Sequence, residues 1–384
     1  MRNEAIPGPA LMDHLTRCRP AMLEAIEGLV THESPSLDKP ALDGMADKVA
    51  ARFDALGASV KRVGGHSGGD HLHARLGSEG EAFPALILGH FDTVWPVGTL
   101  ARMPFRVEEG RASGPGVFDM KSSLVVAEFA IRAIRELGLA AARPIEVLFT
   151  SDEEIGSPTS RGLIEDVARR CAYALVPEPP LPCGGLKTAR KGVGRFTLEV
   201  SGKAAHAGIE PEKGVSAVIE LARQLLRIEG LADPSLGTTL NVGMVQGGTI
   251  PNVVPASASA VIDVRAASLS EASRVTTALK GLVPEHPGAS LTVKGGFNRP
   301  PMERTPQIAA LFGRAREVGR TLGLELTEGG TGGGSDGNFT AALGVPTLDG
   351  LGVPGGGAHA DHEHIQIEGL VPRAALMAAL LLAL

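Results

Sequence analysis

The sequence predicts an α/β fold with a mainly parallel sheet, into which a second, α+β module is inserted. Three apolar segments support the first part of this prediction, and each ends in polar residues: PALILGHFD, PIEVLFTSDEE and AYALVPEP. Apolar runs without alternation suit strands of a sheet that is covered on both faces. Between the first two lies a helical pattern, KSSLVVAEFAIRAIRELG, which stops at Gly138. Strand, helix and strand in this order predict a βαβ unit.

The remaining elements follow in chain order. Residues from about Ala10 to Gly57 have a helical pattern. From about Lys187 to Asn298 the segments RFTLEVSG, TTLNVGMVQGG and SASAVIDVRAA predict strands, and GVSAVIELARQLLRIE and SLSEASRVTTALKGLV predict helices between them. This order is typical of a ferredoxin-like α+β module, with an antiparallel sheet and two helices on one face.

The α/β pattern returns at Arg299. It continues through the helix PQIAALFGRAREVGRTLG, the glycine-rich loop TEGGTGGGSDGN, the strand VPTLDGLG and an apolar helix that closes the chain. We therefore predict one domain built from residues 1–188 and 299–384, with a second domain, residues 189–298, inserted in it. Two domains also agree with the length of 384 residues, which exceeds the size at which a single core stops growing.

Composition excludes several classes of protein. The 37 Lys and Arg and the 43 Asp and Glu give a net charge of −6, and the basic residues are scattered, so a nucleic-acid partner is not expected. No apolar stretch is long enough to predict a membrane span, and the N-terminal stretch lacks the apolar core of a secretory signal. A cytoplasmic protein is expected. The three cysteines, Cys18, Cys171 and Cys183, have neither zinc-knuckle nor redox spacing.

The residues that can carry chemistry lie where predicted strands end. His90 and Asp92 follow the first strand, Glu153 and Glu154 the second, and Glu178 the third, while Asp119 precedes a helix and His359 follows a late strand. The carboxyl ends of strands are where open α/β sheets bind ligands. A single histidine or a pair of loop glutamates is usually structural or solvated, but two imidazoles with three carboxylates form a set suited to zinc. Cobalt or manganese would also be accepted. If one carboxylate is shared, two metal ions obtain equal ligand sets.

The local context of these residues resembles a known family. GHFDTV resembles the HxDTV signature of the dinuclear zinc metallopeptidases that include glutamate carboxypeptidase, acetylornithine deacetylase, succinyl-diaminopimelate desuccinylase and aminoacylase. SGPGVFDMKSS resembles the family's GxGxxDxKG segment, and TSDEEIGS its DEExGS segment. Further segments match in the right order: VPEP, SGKAAHAGIEPEKGVSA, PNVVPASASAVIDVR, GGGSD and GGGAHADHEH. The resemblance covers nearly the whole chain and is strongest to the glutamate carboxypeptidase branch.

The resemblance implies a zinc-peptidase-like catalytic domain and assigns a role to each residue. His90 and His359 become metal ligands, Asp119 the bridging carboxylate, and Glu154 and Glu178 the terminal carboxylates. Asp92 orients His90, Glu153 is the general base, and a hydroxide held between the metals attacks the substrate. His206 stabilises the oxyanion from a neighbouring subunit, in a homodimer formed through the inserted lid and dimerisation domain.

Some positions depart from the family pattern or compete with it. The bridging position is followed by Met120, Lys121, Ser122 and Ser123, where the family commonly has an acidic or amide residue and then Lys-Gly-Gly. His362 and His364 lie beside His359, but the order of the segments favours His359. His66, His71 and His73 match no catalytic segment and are expected to be exposed polar residues.

The substrate is expected to carry a free carboxylate beside the scissile amide bond. A guanidinium is the best-suited partner for that group, and Arg265 and Arg299 are the candidates. The family layout places Asn252 and the loop with Gly334 and Ser335 nearby. A C-terminal glutamate, or a similar N-acyl amino acid or peptide, is the leading substrate.

Two other functions are compatible with the sequence. An N-acyl amino acid deacetylase or desuccinylase would share every metal residue and differ in its acyl pocket. A non-catalytic metal-binding scaffold would keep the fold and the ligands, but it would have no use for Glu153, which argues against it.

Overall fold

The computed structural model describes residues 6–65, 68–77 and 82–384. The chain folds into two compact units. The first consists of Met1–Thr188, Arg304–Gly330 and Ser335–Leu384, and the second of Ala189–Glu303 with Thr331–Gly334. The last four residues belong to the second unit because the Lys191 N–H donates to the carbonyl of Thr331 and the Arg190 guanidinium to those of Gly333 and Gly334.

The helices and strands are numbered in chain order. The helices are α1 (Gly8–Val30), α2 (Lys39–Ala55), α3 (Ser122–Glu136), α4 (Arg161–Ala168), α5 (Ala217–Glu229), α6 (Leu269–Lys280), α7 (Pro306–Thr321), α8 (Gly337–Ala342) and α9 (Leu370–Ala383). The strands are β1 (Ser59–Val63), β2 (His71–Leu76), β3 (Ala85–His90), β4 (Arg106–Glu108), β5 (Arg111–Ser113), β6 (Ile145–Thr150), β7 (Tyr173–Val176), β8 (Leu186–Arg190), β9 (Gly192–Ser201), β10 (Thr239–Gly247), β11 (Ser257–Ala266), β12 (Ser290–Arg299), β13 (Glu328–Thr331), β14 (Thr347–Asp349), β15 (Gly355–Gly356) and β16 (His364–Gln366).

The largest sheet has the strand order β1-β2-β6-β3-β7-β14-β8-β13. Its four central strands, β6, β3, β7 and β14, are parallel, while β2 joins β6 and β8 joins β14 in antiparallel fashion. The sheet is therefore mixed, with its parallel part confined to the centre. A small separate sheet has the order β15-β16-β5-β4.

The central strands are buried on both faces, which explains their unbroken apolar sequences. Along β3, Ala85 and Ile87 join the apolar core formed with α1, α2, α3 and α9, whereas Leu86 and Leu88 join a second core formed with α4. Because successive side chains of a strand point to opposite faces, both faces need apolar residues. The closing helix α9 packs on α1, α3 and α7, and its side chains are almost entirely buried.

The second unit is an antiparallel sheet of order β10-β11-β9-β12 with α5 and α6 on one face. Its core consists of alternate residues of β9 and β11, such as Phe196 and Ile262, packed against apolar residues of both helices. The prediction of an α/β fold with a separate antiparallel module that carries two helices is confirmed. Across residues 6–65, 68–77 and 82–384, no helix has both the length and the apolar character needed to cross a membrane.

Candidate functional site

His90 is the last residue of β3, and its ring is fully buried. The preceding residue is Gly89, where a Cβ would lie 2.9 Å from Cε of Met120. Glycine at this position therefore lets the residue after Asp119 pack directly on the strand. This close approach brings Asp119 to the end of β3, where Nε2 of His90 lies 3.2 Å from its Oδ1.

Asp119 lies between two groups of possible ligands. On the side of Oδ1, Nε2 of His90 lies 3.5 Å from Oε1 of Glu178. On the side of Oδ2, Nε2 of His359 lies 3.7 Å away and is also 3.2 Å from Oε2 of Glu154. Each carboxylate oxygen of Asp119 thus faces a different histidine, and each histidine has a second carboxylate. The donor types and this arrangement fit metal ions bound on either side of a shared carboxylate.

Asp92 connects the first histidine to the loop that carries the two glutamates. Its Oδ1 lies 3.3 Å from Nδ1 of His90 and accepts the backbone N–H of Glu153, and its Oδ2 accepts the N–H of Glu154. The hydroxyl of Ser36 donates to the same Oδ2 at 2.7 Å. A carboxylate behind an imidazole holds the ring so that its other nitrogen faces the site. Here the same carboxylate also holds the glutamate loop.

The glutamate loop follows β6, and the carboxylate of Asp152 at its start binds the residues that follow its end. Glu153–Ile155 form one turn of 3-10 helix, which ends at Gly156 with a φ of 94°. The carboxylate of Asp152 accepts hydrogen bonds from the backbone N–H groups and hydroxyls of Thr159 and Ser160. Glycine tolerates the left-handed conformation that reverses the chain here. The loop therefore presents Glu153 and Glu154 on a firmly held turn.

The site is electrostatically negative. Burial disfavours the charged form of His90, but hydrogen bonds with Asp119, Asp92 and Glu178 outweigh burial and raise its pKa well above its usual value. The hydrogen bond with Glu154, together with nearby carboxylates, raises the pKa of His359 to about 9. Burial raises the pKa of Glu154, whereas His90 and His359 lower that of Asp119 in spite of its burial. A field that holds protons on both imidazoles also attracts a divalent cation.

His359 lies in the loop between β15 and β16 and has a φ of 60°, which is unusual for a residue other than glycine. Its two competitors lie further along. His364 belongs to β16 opposite Gly356, and its Nδ1 contacts the carbonyl of His362.

Glu363 is a buried carboxylate behind Asp119 that sequence reasoning did not identify. Its oxygens accept the backbone N–H groups of Gly116, Phe118 and Asp119 at 2.9, 2.9 and 3.1 Å, and the indole N–H of Trp95 at 2.8 Å. Burial raises its pKa, and the four donors act in the opposite direction. Glu363 thus holds the loop that positions Asp119. Its place in GGGAHADHEH, four residues after His359, is the sequence signal that could have drawn attention to it.

The prediction that His71 and His73 are exposed is wrong for His71, and His66 lies outside the described residues. His71 is buried, its Nδ1 accepts the backbone N–H of Ser151, and its Nε2 contacts the hydroxyl of Thr159. Burial lowers its pKa. His71 therefore supports both ends of the glutamate loop. His73 is partly exposed and pairs with Glu146.

His206 and Asn252 belong to the second unit and lie on adjacent segments. His206 forms a backbone bridge with Val253, and the Ala207 N–H donates to the carbonyl of Asn252. The His206 side chain is exposed, and its Nδ1 accepts the backbone N–H groups of Gly208 and Ile209, both at 3.1 Å. Because Nδ1 is an acceptor, the neutral ring carries its proton on Nε2. The chain therefore presents a hydrogen-bond donor at that exposed nitrogen.

Arg265 and Arg299 lie on the strands that flank β9, and both pair in register with Val193. Arg265 makes a two-pronged contact with the carboxylate of Asp263, at 2.8 and 3.0 Å. Arg299 is buried, and a Cβ on Gly334 would lie 2.8 Å from its Cδ.

Ser335 is buried in the first unit, and its hydroxyl donates to Asp349 at 2.7 Å. Of the residues proposed for the substrate, the structure thus brings together Arg299 and Gly334. It places Ser335 in a supporting hydrogen bond.

Comparison with known proteins places the chain in a family. Residues 86–383 match the model of "Peptidase family M20/M25/M40". Carboxypeptidase G2 of Pseudomonas sp. (strain RS-16) is 33% identical over 374 residues, which cover 95% of this chain and 89% of that protein. Acetylornithine deacetylase of Myxococcus xanthus is 31% identical over 265 residues, which cover 64% of this chain and 67% of that protein.

Solved structures agree at the level of the fold. The crystal structure of aminopeptidase PepT from Bacillus cereus ATCC 10987 superimposes with a TM-score of 0.78 at 23% identity, over 94% of this chain and 98% of that chain. The resemblance drawn from the sequence motifs is confirmed. The chain belongs to peptidase family M20/M25/M40, and it is a metal-dependent hydrolase of the peptidase and amidohydrolase type.

Proposed function

We propose that this enzyme is a glutamate-type carboxypeptidase, which cleaves the amide bond beside the free carboxylate of a small peptide or N-acyl amino acid. The observation that carries the proposal is the position of Asp119 between the pair His90 and Glu178 and the pair His359 and Glu154, with Glu153 on the adjoining turn. The similarity to carboxypeptidase G2 over 95% of the chain supports the choice of substrate class.

These residues would hold two divalent metal ions per chain, most suitably zinc, with cobalt and manganese as other ions that the donor set accepts. Bound there, the ions would supply Lewis-acid activation of the substrate carbonyl and of water. Elemental analysis after dialysis should find at least two ions per chain. A reproducible value of one in fully active protein would contradict the dinuclear proposal.

The chain's own residues would handle the protons and the charge. Glu153 takes a proton from the attacking water and returns it to the leaving amine, because a carboxylate on a fixed turn can serve first as base and then as acid. The Nε2–H of His206, supplied by the other subunit of the homodimer proposed below, donates a hydrogen bond to the oxyanion. Asp92 keeps both His90 and the turn of Glu153 in place.

Arg299 is the better candidate for the substrate carboxylate. Arg265 is partly exposed and makes two hydrogen bonds with Asp263, whereas Arg299, whose Nη1 donates to Asn298, is buried against the glycine-rich loop at Gly334. A buried guanidinium binds a planar carboxylate with two parallel hydrogen bonds.

The second candidate is an N-acyl amino acid deacetylase or desuccinylase. The 31% identity to acetylornithine deacetylase favours it, although this similarity covers 64% of the chain. Both activities would use the same metal ligands and Glu153 and would differ in the group that carries the scissile carbonyl.

A substrate panel separates the two. Purified protein would be assayed with N-acetyl, N-succinyl, peptidyl and aroyl amino acids that end in glutamate, ornithine or alanine, with and without a chelator. We expect the highest kcat/KM for substrates that release glutamate, and loss of all turnover with the chelator. A preference for N-acetyl or N-succinyl amino acids, whether or not they end in glutamate, would favour the second candidate. Chelator-resistant turnover would reject both.

We also propose a homodimer formed through the second unit. The strand β10 lies at the edge of its sheet, so one row of its backbone groups is left unpaired by the sheet. On β10, Met244 and Val245 are each 57% exposed, and Leu226 of α5, a helix that packs on β10, is 72% exposed. Exposed apolar residues along an open sheet edge favour association with a second copy.

A further inference from the structure

A second group of metal-ligating side chains lies far from the site described above. It consists of His14 and Cys18, which are four residues apart on α1, and Glu136, the last residue of α3. Residues four apart on a helix lie on the same face, so the imidazole and the thiol point toward the same neighbour. That neighbour is α3, which packs on α1.

The distances suit a single ion. Nε2 of His14 lies 3.6 Å from Sγ of Cys18 and 2.9 Å from Oε2 of Glu136. For a tetrahedral zinc ion with ordinary bond lengths, the nitrogen and sulfur ligands are about 3.6 Å apart, and nitrogen and oxygen about 3.4 Å. The first distance already matches. The distance between His14 and Glu136 is a hydrogen-bond distance. It would reach the value for two zinc ligands if the exposed Glu136 side chain moved outward by about half an ångström.

We propose that His14, Cys18 and Glu136 form a peripheral site for a zinc-like divalent cation, with water as the fourth ligand. Nitrogen, thiolate sulfur and carboxylate oxygen together form a borderline-soft set that prefers zinc or cobalt over magnesium or calcium. The ion would link the N-terminal half of α1 to the end of α3. Along α3, this end lies roughly 20 Å from Ser122 and the adjoining Asp119 loop, so the site is distinct from the candidate active site.

The surroundings of Cys18 set the pH dependence of this site. Burial and the nearby Glu136 carboxylate raise the pKa of the thiol, and the charges of Arg132 and Arg17 act in the opposite direction. A thiol binds a metal ion as the thiolate, so binding must displace its proton. Occupancy should increase as the pH rises.

Cobalt distinguishes this site from the active site, because only a thiolate ligand gives an intense charge-transfer band in the near ultraviolet. The ligands proposed for the active site are all nitrogen or oxygen. The full-length protein would be loaded with Co²⁺ and then titrated with further Co²⁺ at about pH 8, where displacement of the thiol proton is easier. We expect the charge-transfer band in the wild-type protein and its loss on addition of Zn²⁺.

Three variants test the assignment. Cys18→Ser should abolish the band, and His14→Gln should shift the titration to higher Co²⁺ concentration, while the exposed Cys183→Ser is the matched control and should keep the band unchanged. Absence of a band in wild-type protein at saturating Co²⁺, or a band that survives Cys18→Ser and disappears in Cys183→Ser, would overturn the proposal. Circular dichroism of each variant establishes that it is folded. The readout does not depend on catalytic activity.

Discussion

At the scale of single residues, Asp92 shows how one side chain serves two parts of the site. The sequence predicts its contact with His90, because residues i and i+2 of an extended chain face the same side. It does not predict that the same carboxylate accepts the N–H groups of Glu153 and Glu154. That contact depends on the pairing of β3 with β6 in the register His90 to Thr150, which sets the residues after each strand side by side. The register between two strands that are distant in the chain cannot be predicted from the sequence of either strand alone.

Glu153 is expected to act as a base and not as a metal ligand. Glu153→Gln keeps the shape of the side chain but cannot accept a proton, so turnover should fall by a factor on the order of 10² to 10⁴. The metal content should be unchanged. The measurement is kcat together with elemental analysis of the same sample.

Glu154→Gln is the matched control on the neighbouring residue. Its carboxylate lies 3.2 Å from His359, so its loss should reduce the metal content. If Glu153→Gln loses metal and Glu154→Gln retains it, the two roles have been exchanged.

Displacement of the His359 proton should make metal affinity increase with pH up to about 9, because the hydrogen bond with Glu154 raises the pKa of His359 to about 9. Below that pH the imidazole of the metal-free protein is protonated, and a metal ion must displace the proton. The apparent dissociation constant should therefore fall about tenfold per pH unit for each displaced proton, and level off once the imidazoles are neutral. Competition with a chelator of known affinity, from about pH 6 to pH 10, measures it. In His359→Asn the pH dependence of the dissociation constant should correspond to one displaced proton fewer. A metal affinity of the wild-type protein that stays constant over this pH range would contradict the assignment.

At the scale of elements, the best predictions concern strands whose residues are apolar without interruption. The strands β3, β6 and β7 lie within the predicted segments PALILGHFD, PIEVLFTSDEE and AYALVPEP. These segments are apolar because both faces of the central sheet are covered. The antiparallel strand β1, at the edge of the sheet, and its neighbour β2 were not predicted. Their sequences, SVKRV and HLHARL, contain charged and polar residues because neither strand is buried along its whole length.

The loop before α3 was predicted less well than the strands, because its support is distant in sequence. Asp119 and Glu363 are 244 residues apart, yet the backbone N–H of Asp119 donates to the carboxylate of Glu363 at 3.1 Å. Ser122 and Ser123, which replace small residues of the family pattern, are fully buried at the start of α3. A Cβ on Gly352 would lie 2.4 Å from Oγ of Ser123, so even a serine fits there only because a glycine faces it.

Glu363→Gln tests whether that loop positions a metal ligand. Both oxygens of Glu363 accept two hydrogen bonds, so an amide NH₂ in either orientation would face two N–H donors. The loop should shift, and metal affinity should fall by a factor on the order of 10 to 100, as for other residues that support metal ligands. Chelator-buffered metal titration measures the change. The exposed Glu368→Gln is the control, and a lower melting temperature with unchanged metal affinity would reduce Glu363 to a purely structural role.

At the scale of the whole molecule, the sequence predicted two kinds of architecture because the hydrophobic pattern changes along the chain. In the second unit, β11 alternates buried and partly exposed residues, whereas β3 is buried throughout. One face of the second sheet packs on α5 and α6, and the other does not contribute to that core. The hydrophobic pattern does not predict which residues belong to the second unit. Thr331–Gly334, part of a glycine-rich segment, join it through contacts of their backbone.

The proposed dimer leads to the most demanding prediction, that His206 completes the active site of the partner. His206 is exposed and presents its Nε2–H outward from the unit whose edge strand and apolar residues favour self-association. His206→Ala and Glu153→Gln should each be nearly inactive alone. In a mixed dimer, the subunit with His206→Ala keeps its own Glu153 and receives an intact His206 from its partner, so one of the two sites is complete. An equal mixture, dissociated and allowed to re-form dimers at random, should therefore regain on the order of a quarter of wild-type activity. Sedimentation and differently sized tags establish that mixed dimers are present. If verified mixed dimers stay inactive, His206 acts within its own chain. Leu226→Glu, which should weaken the proposed interface, separates the two cases. It should abolish turnover together with the dimer if His206 acts on the partner, and leave turnover intact if His206 acts within its own chain.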